Sequence, residues 1–177
     1  MKTFTRTFAL LLGLVLLVGC TTKMSSKDVA PSSVHHLQRG QRFYVVMPLD
    51  GKYKEKTYAG SGRQVSQYFK QALSSYASDV VIGQVNPDDR TTIFAEAAKV
   101  NAKYALVPNI NHWEPRAAAW SGMAPESNIT YEVYDVESGK VLMYKVIVVK
   151  GRTMTFKSQH IDELSRIAIQ NSCSELF

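Results

Sequence analysis

Two cysteines, two tryptophans and six prolines in 177 residues leave little room for several kinds of protein. So few cysteines exclude a disulfide-stapled miniprotein. Ten glycines and six prolines exclude a collagenous or low-complexity chain. Only one apolar run exceeds ten residues, and its place at the extreme N-terminus excludes a polytopic membrane protein. The four histidines, His35, His36, His112 and His160, form no helical pair at four-residue spacing with a partnering carboxylate, so neither a metal nor a cofactor is expected. What is present is ordinary globular composition, 45% hydrophobic and 20% charged, enough for one domain.

The N-terminus carries an address. Lys2 and Arg6 precede Phe8 to Val18, eleven apolar or small residues, and Gly19-Cys20 follows. A positive start, a short apolar centre and a small-residue end read as a signal peptide over residues 1–19. Eleven residues fall short of the roughly 20 that span a bilayer as a helix, which weighs against a retained span. Leu17-Val18-Gly19-Cys20 resembles the bacterial lipobox. That resemblance implies a diacylglycerol on the Cys20 thiol, cleavage just before Cys20 and acylation of the new amino group. Several acyl chains, at ~0.8 kcal/mol per buried CH₂, would make detachment negligible. Thr21 follows the cysteine where an Asp would signal retention, so by resemblance to Gram-negative lipoprotein sorting the expected location is the outer membrane, facing the periplasm.

Processing leaves 158 residues with 19 basic and 15 acidic side chains, a balance of +4. An exported lipoprotein seldom meets nucleic acid, and the densest basic cluster, Lys52, Lys54 and Lys56, is interrupted by Tyr53 and Glu55. A solvated loop is the expected reading, with no nucleic-acid partner. With Cys20 acylated, Cys173 has no intramolecular partner, and Ile167, Ile169 and Leu176 around it suggest burial in a C-terminal helix. Residues 20–41 are polar, contain Pro31 and several serines, and lack periodicity, so a flexible tether of up to ~60 Å is expected there. His35 and His36 within it read as surface residues.

From Arg42 onward the pattern is regular. Phe43 to Met47 is a β-branched and aromatic run ending in Pro48-Leu49-Asp50-Gly51. Val65, Tyr68, Phe69, Ala72, Leu73 and Tyr76 recur at helical spacing from near Ser61. Val80 to Val85 predicts a strand, Asn86 to Asp89 a turn and N-cap, and Ile93 to Val100 a second helix. Tyr104 to Trp113 predicts a third strand, with Pro108 demoting it to an edge or bulged one. Two alternating segments, Ile129 to Tyr134 and Leu142 to Val149, flank a turn with Gly139 placed for positive φ. Ile161 onward predicts a closing helix with Asp162 and Glu163 in its first turn. The order β-α-β-α-β-β-β-α over residues 42–177 predicts a single mixed-sheet α/β domain with helices packed on the sheet. Its first three strands should be parallel.

Two local patterns stand out. Gly60-Ser61-Gly62-Arg63 opens the first helix, where backbone N–H groups could cradle an anion. It lacks the Lys-Ser/Thr of a P-loop, and Ser61 as a helix N-cap, with the glycines shaping the turn, explains it without any ligand and is the favoured reading. The second pattern, Trp113-Glu114-Pro115-Arg116 with Trp120, places both tryptophans within eight positions. Exposed, Trp113, Glu114, Arg116 and Trp120 would make a partner or ligand surface together with Ser61 and Arg63. Packed internally, both indoles would cap the sheet end.

Tyr58-Ala59-Gly60-Ser61-Gly62 and Trp113-Glu114-Pro115-Arg116 with Trp120-Ser121-Gly122 resemble a family of small Gram-negative lipoproteins known only as a domain of unknown function. The similarity runs from about Phe43 through the final helix, with Pro115 standing where the family has Asp. The element order and Tyr134-Asp135-Val136-Glu137-Ser138-Gly139-Lys140-Val141 more remotely resemble the α/β domains of the N-terminal part of TolB and of the curli-secretion lipoprotein CsgG. These resemblances imply a fold and an envelope location and supply no catalytic residues. The expected function is a non-enzymatic, membrane-anchored accessory module with an envelope protein partner, compatible with a homo-oligomer. A glycan- or headgroup-binding module is the alternative. A hydrolase built on Ser61, His112 and Asp50 ranks third, because no Gly-x-Ser-x-Gly elbow is present.

Overall fold

The computed structural model describes residues 22–29, 36–84, 88–115, 123–152 and 160–177. The strands are β1 (Lys23–Asp28), β2 (Arg42–Val46), β3 (Lys52–Tyr53), β4 (Lys56–Thr57), β5 (Asp79–Gly83), β6 (Tyr104–Glu114), β7 (Glu126–Asp135) and β8 (Val141–Lys150). The helices are α1 (Ser61–Leu73), α2 (Arg90–Lys99) and α3 (Ile161–Ser174). Six strands form one sheet in the order β1-β8-β7-β6-β2-β5, and β3 with β4 forms a separate short hairpin.

The fold is the mixed α/β sheet that the element order predicts. β2 pairs parallel with both β5 and β6, while the β6–β7, β7–β8 and β8–β1 pairs are antiparallel. Phe43, Tyr44, Val45 and Val46 of β2 are all buried because both of its faces are covered. Phe43 and Val45 face α1 and α3, while Tyr44 and Val46 face α2. β7 instead alternates. Its Ile129, Tyr131 and Val133 join the α1–α3 core, and the intervening Asn128, Thr130 and Glu132 lie on a face that α2 covers only in part.

Pro108 sits inside a central strand, yet β2 pairs with β6 only as far as Val45↔Leu106. Past that point β6 has a sheet partner on one side alone, the condition under which a strand tolerates proline, and its register with β7 slips between Ile110 and His112. Asp89 caps α2 by accepting from the Thr92 N–H at 3.1 Å. Gly139 takes the expected positive φ, +65°.

The expected tether needs correction. Lys23–Asp28 is a strand, antiparallel to β8 from Lys23↔Lys150 to Asp28↔Lys145. The polar sequence conceals it because a sheet edge needs only one apolar face. Met24 packs on the core, and the Ser26 hydroxyl lies 2.9 Å from that of Ser172 on α3. Ser172 in turn meets the Tyr131 hydroxyl at 2.7 Å. Leu37, later in the same stretch, is buried and donates its N–H to the Leu176 carbonyl. The signal peptide, Cys20 and His35 lie outside the described residues, and His36 is exposed.

Candidate functional site

The Gly60-Ser61-Gly62 turn is filled by the chain itself. Gly60 is the N-cap of α1 at φ +87°, so Ser61 is the first helical residue and not the cap that its residue type suggests. The capping acceptor comes from the loop after β2. Asp50 accepts the Gly62 N–H on Oδ1 at 2.8 Å and the Gly60 N–H on Oδ2 at 3.1 Å, occupying the place an anion would take. The Ser61 hydroxyl donates to the Tyr58 carbonyl at 2.7 Å and accepts from the Gly51 N–H at 2.8 Å, and it is buried. A Cβ on Gly62 would stand 2.2 Å from the Pro48 carbonyl oxygen, and one on Gly51 2.5 Å from the Trp113 Cβ. The Pro-x-Asp-Gly and Gly-Ser-Gly motifs are therefore two halves of one lock, which pins the β2 loop to the start of α1.

Trp113 is the lock's backing. It is 2% exposed, packed in the α1–α3 core beside Gly51, and so offers no surface to a partner. Glu114 is buried too and faces His112 at 3.4 Å, while the His112 ring stands edge-on to Tyr53. Of the expected surface, Arg63 is exposed, Ser61, Trp113 and Glu114 are buried, and Arg116 and Trp120 lie outside the described residues. Ser61 and Asp50 do approach, at 3.5 Å, but the His112 nitrogen is turned to Glu114. A serine triad needs the imidazole between hydroxyl and carboxylate, and these three residues are not arranged so.

A second constellation lies on the opposite face of the sheet. An open cleft of about 350 Å³ is lined by Leu49, Asp88, Arg90, Pro108, Thr130, Glu132 and neighbouring side chains. Arg90, at the start of α2, donates from Nη2 to Glu132 at 2.6 Å. Its guanidinium carbon lies 4.8 Å from the Tyr134 ring centre, and the Tyr134 hydroxyl donates to the same Glu132 oxygen at 2.6 Å. Burial first, then this bond to a carboxylate, pushes the Tyr134 hydroxyl's pKa upward and keeps it a donor. Arg90 Nη1 is buried with no hydrogen-bond partner among the described residues. Beside the cleft, Asn109, Asn111, Asn128 and Thr130 join through side-chain amides at 3.0–3.2 Å.

The match to known families decides the kinship. The model described as "Domain of unknown function (DUF4823)" matches residues 35–176. The chain belongs to the DUF4823 family. No curated protein sequence is significantly similar to it. This DUF4823 chain is similar in fold to PelC, a dodecamer from Paraburkholderia phytofirmans. The identity is 18% and the TM-score 0.64, over 88% of this chain and 97% of that one. It is also similar to lipoprotein GNA1162 from Neisseria meningitidis at 10% identity and a TM-score of 0.50, over 77% and 97%. At these identities the likeness is one of fold.

Two features of the DUF4823 fold escape sequence reasoning. Arg90, Glu132 and Tyr134 converge from elements more than forty residues apart, and the alternation of Thr130, Glu132 and Tyr134 along β7 was the one available signal of a shared face. Lys145 is the other. It is buried on the helix-covered face, 2.7 Å from Glu175 and 3.4 Å from Asp28. Cys173 is fully buried, and burial pushes its thiol pKa up, which suppresses the reactive thiolate.

Proposed function

We propose that this DUF4823 chain is an outer-membrane lipoprotein acylated at Cys20, whose α/β body serves in the periplasm as a non-enzymatic interaction module for envelope assembly, transport or secretion. The observation that carries the reading is the lipobox-like Leu17-Val18-Gly19-Cys20 immediately ahead of a domain similar in fold to a Neisseria lipoprotein. Mass analysis of the N-terminal peptide tests it directly. An acylated Cys20 is expected, together with outer-membrane fractionation that Cys20→Ala abolishes. An unmodified N-terminus or unchanged fractionation would remove the reading. Partners are sought by crosslinking the lipidated protein in cells, and the mass of the detergent-extracted form tests a homo-oligomer, the state of PelC.

One observation favours a second reading, in which the Arg90 cleft binds an envelope glycan or an anionic headgroup. Arg90 Nη1 is an unused buried donor beside a row of amide and hydroxyl side chains, the groups that recognise hydroxyl-rich or anionic ligands. Calorimetric titration with glycan fragments and headgroup analogues tests it. Binding lost in Arg90→Ala supports the reading, and no heat with any ligand ends it.

A further inference from the structure

The start of β1 at Lys23 sets how far the folded body stands from the membrane. Only Thr21 and Thr22 lie between Cys20 and β1, so at ~3.5 Å per residue the lipidated cysteine is within about 10 Å of the sheet. An acylated cysteine sits in the headgroup layer, and 10 Å is about one Debye length at physiological salt. Whatever lies at that end of the sheet therefore feels the membrane's surface potential.

The register identifies that end. Lys23 pairs with Lys150, Lys150 with Glu126, and Glu126 with Glu114, a row running from β1 across β8 and β7 to β6. Three inter-strand steps make the row about 15 Å wide. Beyond it the β3–β4 hairpin packs on β6, with Tyr53 against His112, and presents Lys52, Lys54 and Lys56 to solvent. Among the described residues Lys23, Lys52, Lys54 and Lys56 have no carboxylate partner. At the far end of the sheet Lys103 is paired with Asp135 and Lys145 with Glu175, while Lys70 and Lys140 are exposed without a carboxylate partner among the described residues, so it is the nearness of the anchor that singles out the near end. Four of the near end's acidic groups are engaged. Asp50 holds the start of α1, Asp89 caps α2, Glu114 faces His112 and Glu126 lies 3.4 Å from Lys150; the same end also carries Glu55 in the hairpin, Asp162 and Glu163 in the first turn of α3, and Asp88 ahead of α2.

We propose that this rim, Lys23, Lys52, Lys54, Lys56 and Lys150, docks on the anionic phosphate headgroups of the membrane that holds the anchor. The rim and the lipid then fix the body's orientation, and the far end, with the β7–β8 turn, points into the periplasm. The proposal rests on acylation of Cys20, which mass analysis checks separately in the same preparation.

The test uses the full lipidated chain in vesicles. Because Cys173 is buried and Cys20 carries lipid, an introduced cysteine is the thiol that reacts. Lys56→Cys reports on the rim and Lys140→Cys on the far turn, each modified by an uncharged polyethylene-glycol maleimide. In vesicles of phosphatidylethanolamine with phosphatidylglycerol, modification at position 56 is expected to slow at least about fivefold relative to detergent micelles, with position 140 unchanged. High salt, or phosphatidylcholine alone, should restore the micelle rate. Equal rates at the two positions in acylated protein overturn the proposal. Protection indifferent to salt and lipid charge overturns it as well, since the anchor alone would then account for it. If Cys20 proves unacylated, the failure belongs to the lipoprotein reading itself.

Discussion

Asp50 and Gly62 do complementary jobs at one corner, so their substitutions should fail differently. Asp50→Ala removes the acceptor for two N–H groups at the start of α1 and is expected to cost about 1–2 kcal/mol in chemical denaturation, with the fold intact. Gly62→Ala places a methyl where the Pro48 carbonyl stands, and carbonyl oxygen on backbone cannot swing aside. A loss of about 3 kcal/mol or more is expected, visible as a lowered denaturation midpoint or an insoluble product. The glycines were legible in the sequence as a turn. Their partner was not, because Asp50 lies twelve residues before Gly62 and a helix-start serine is the usual capping residue. The same distance effect hid the core role of Trp113. An indole beside charged residues looks like an interface until the register shows Gly51 laid against it.

At the level of elements, β1 was invisible because its stabilising contacts are long-range. Asp28 reaches Lys145, whose other partner, Glu175, follows α3, so one buried ammonium clasps strand, sheet and helix end. Both carboxylates are more than half exposed, so Lys145→Ala should cost about 1–2 kcal/mol, below the 3–5 of a fully buried pair. Hydrogen exchange should show the loss locally, with β1 amides exchanging faster and β2 amides unchanged. The β7–β8 turn carries a pH dependence. Asp135 is held down to about 2 chiefly by its hydrogen bond from Lys103, with further bonds from Ser138, against an ordinary 3.8. A depressed folded-state pKa stabilises the turn at neutral pH, and that contribution disappears as pH falls from about 4 to about 2. An acid titration of stability should therefore be flatter in Asp135→Asn than in the wild type over that window.

For the whole molecule, periodicity revealed the parallel half, the antiparallel hairpin and the three helices because each buries a face of its own. It could not reveal which end of the sheet carries the start of β1, since that depends on how β1 joins β8. A consequence follows for the spacing between anchor and body. Thr21 and Thr22 precede the first paired residue, so lengthening the chain between Cys20 and Lys23 should leave every pairing of β1 intact. Inserting about 18 flexible residues there would let the body rise by up to ~60 Å, several Debye lengths, while the lipid stayed in place. The lengthened protein should fractionate with the membrane and unfold at the same denaturant concentration as the wild type, yet lose the slow modification at position 56. Retained protection would mean that the basic rim holds the membrane without the short span's help. Loss of β1 protection in hydrogen exchange would mean that the strand needs the anchor to stay in the sheet.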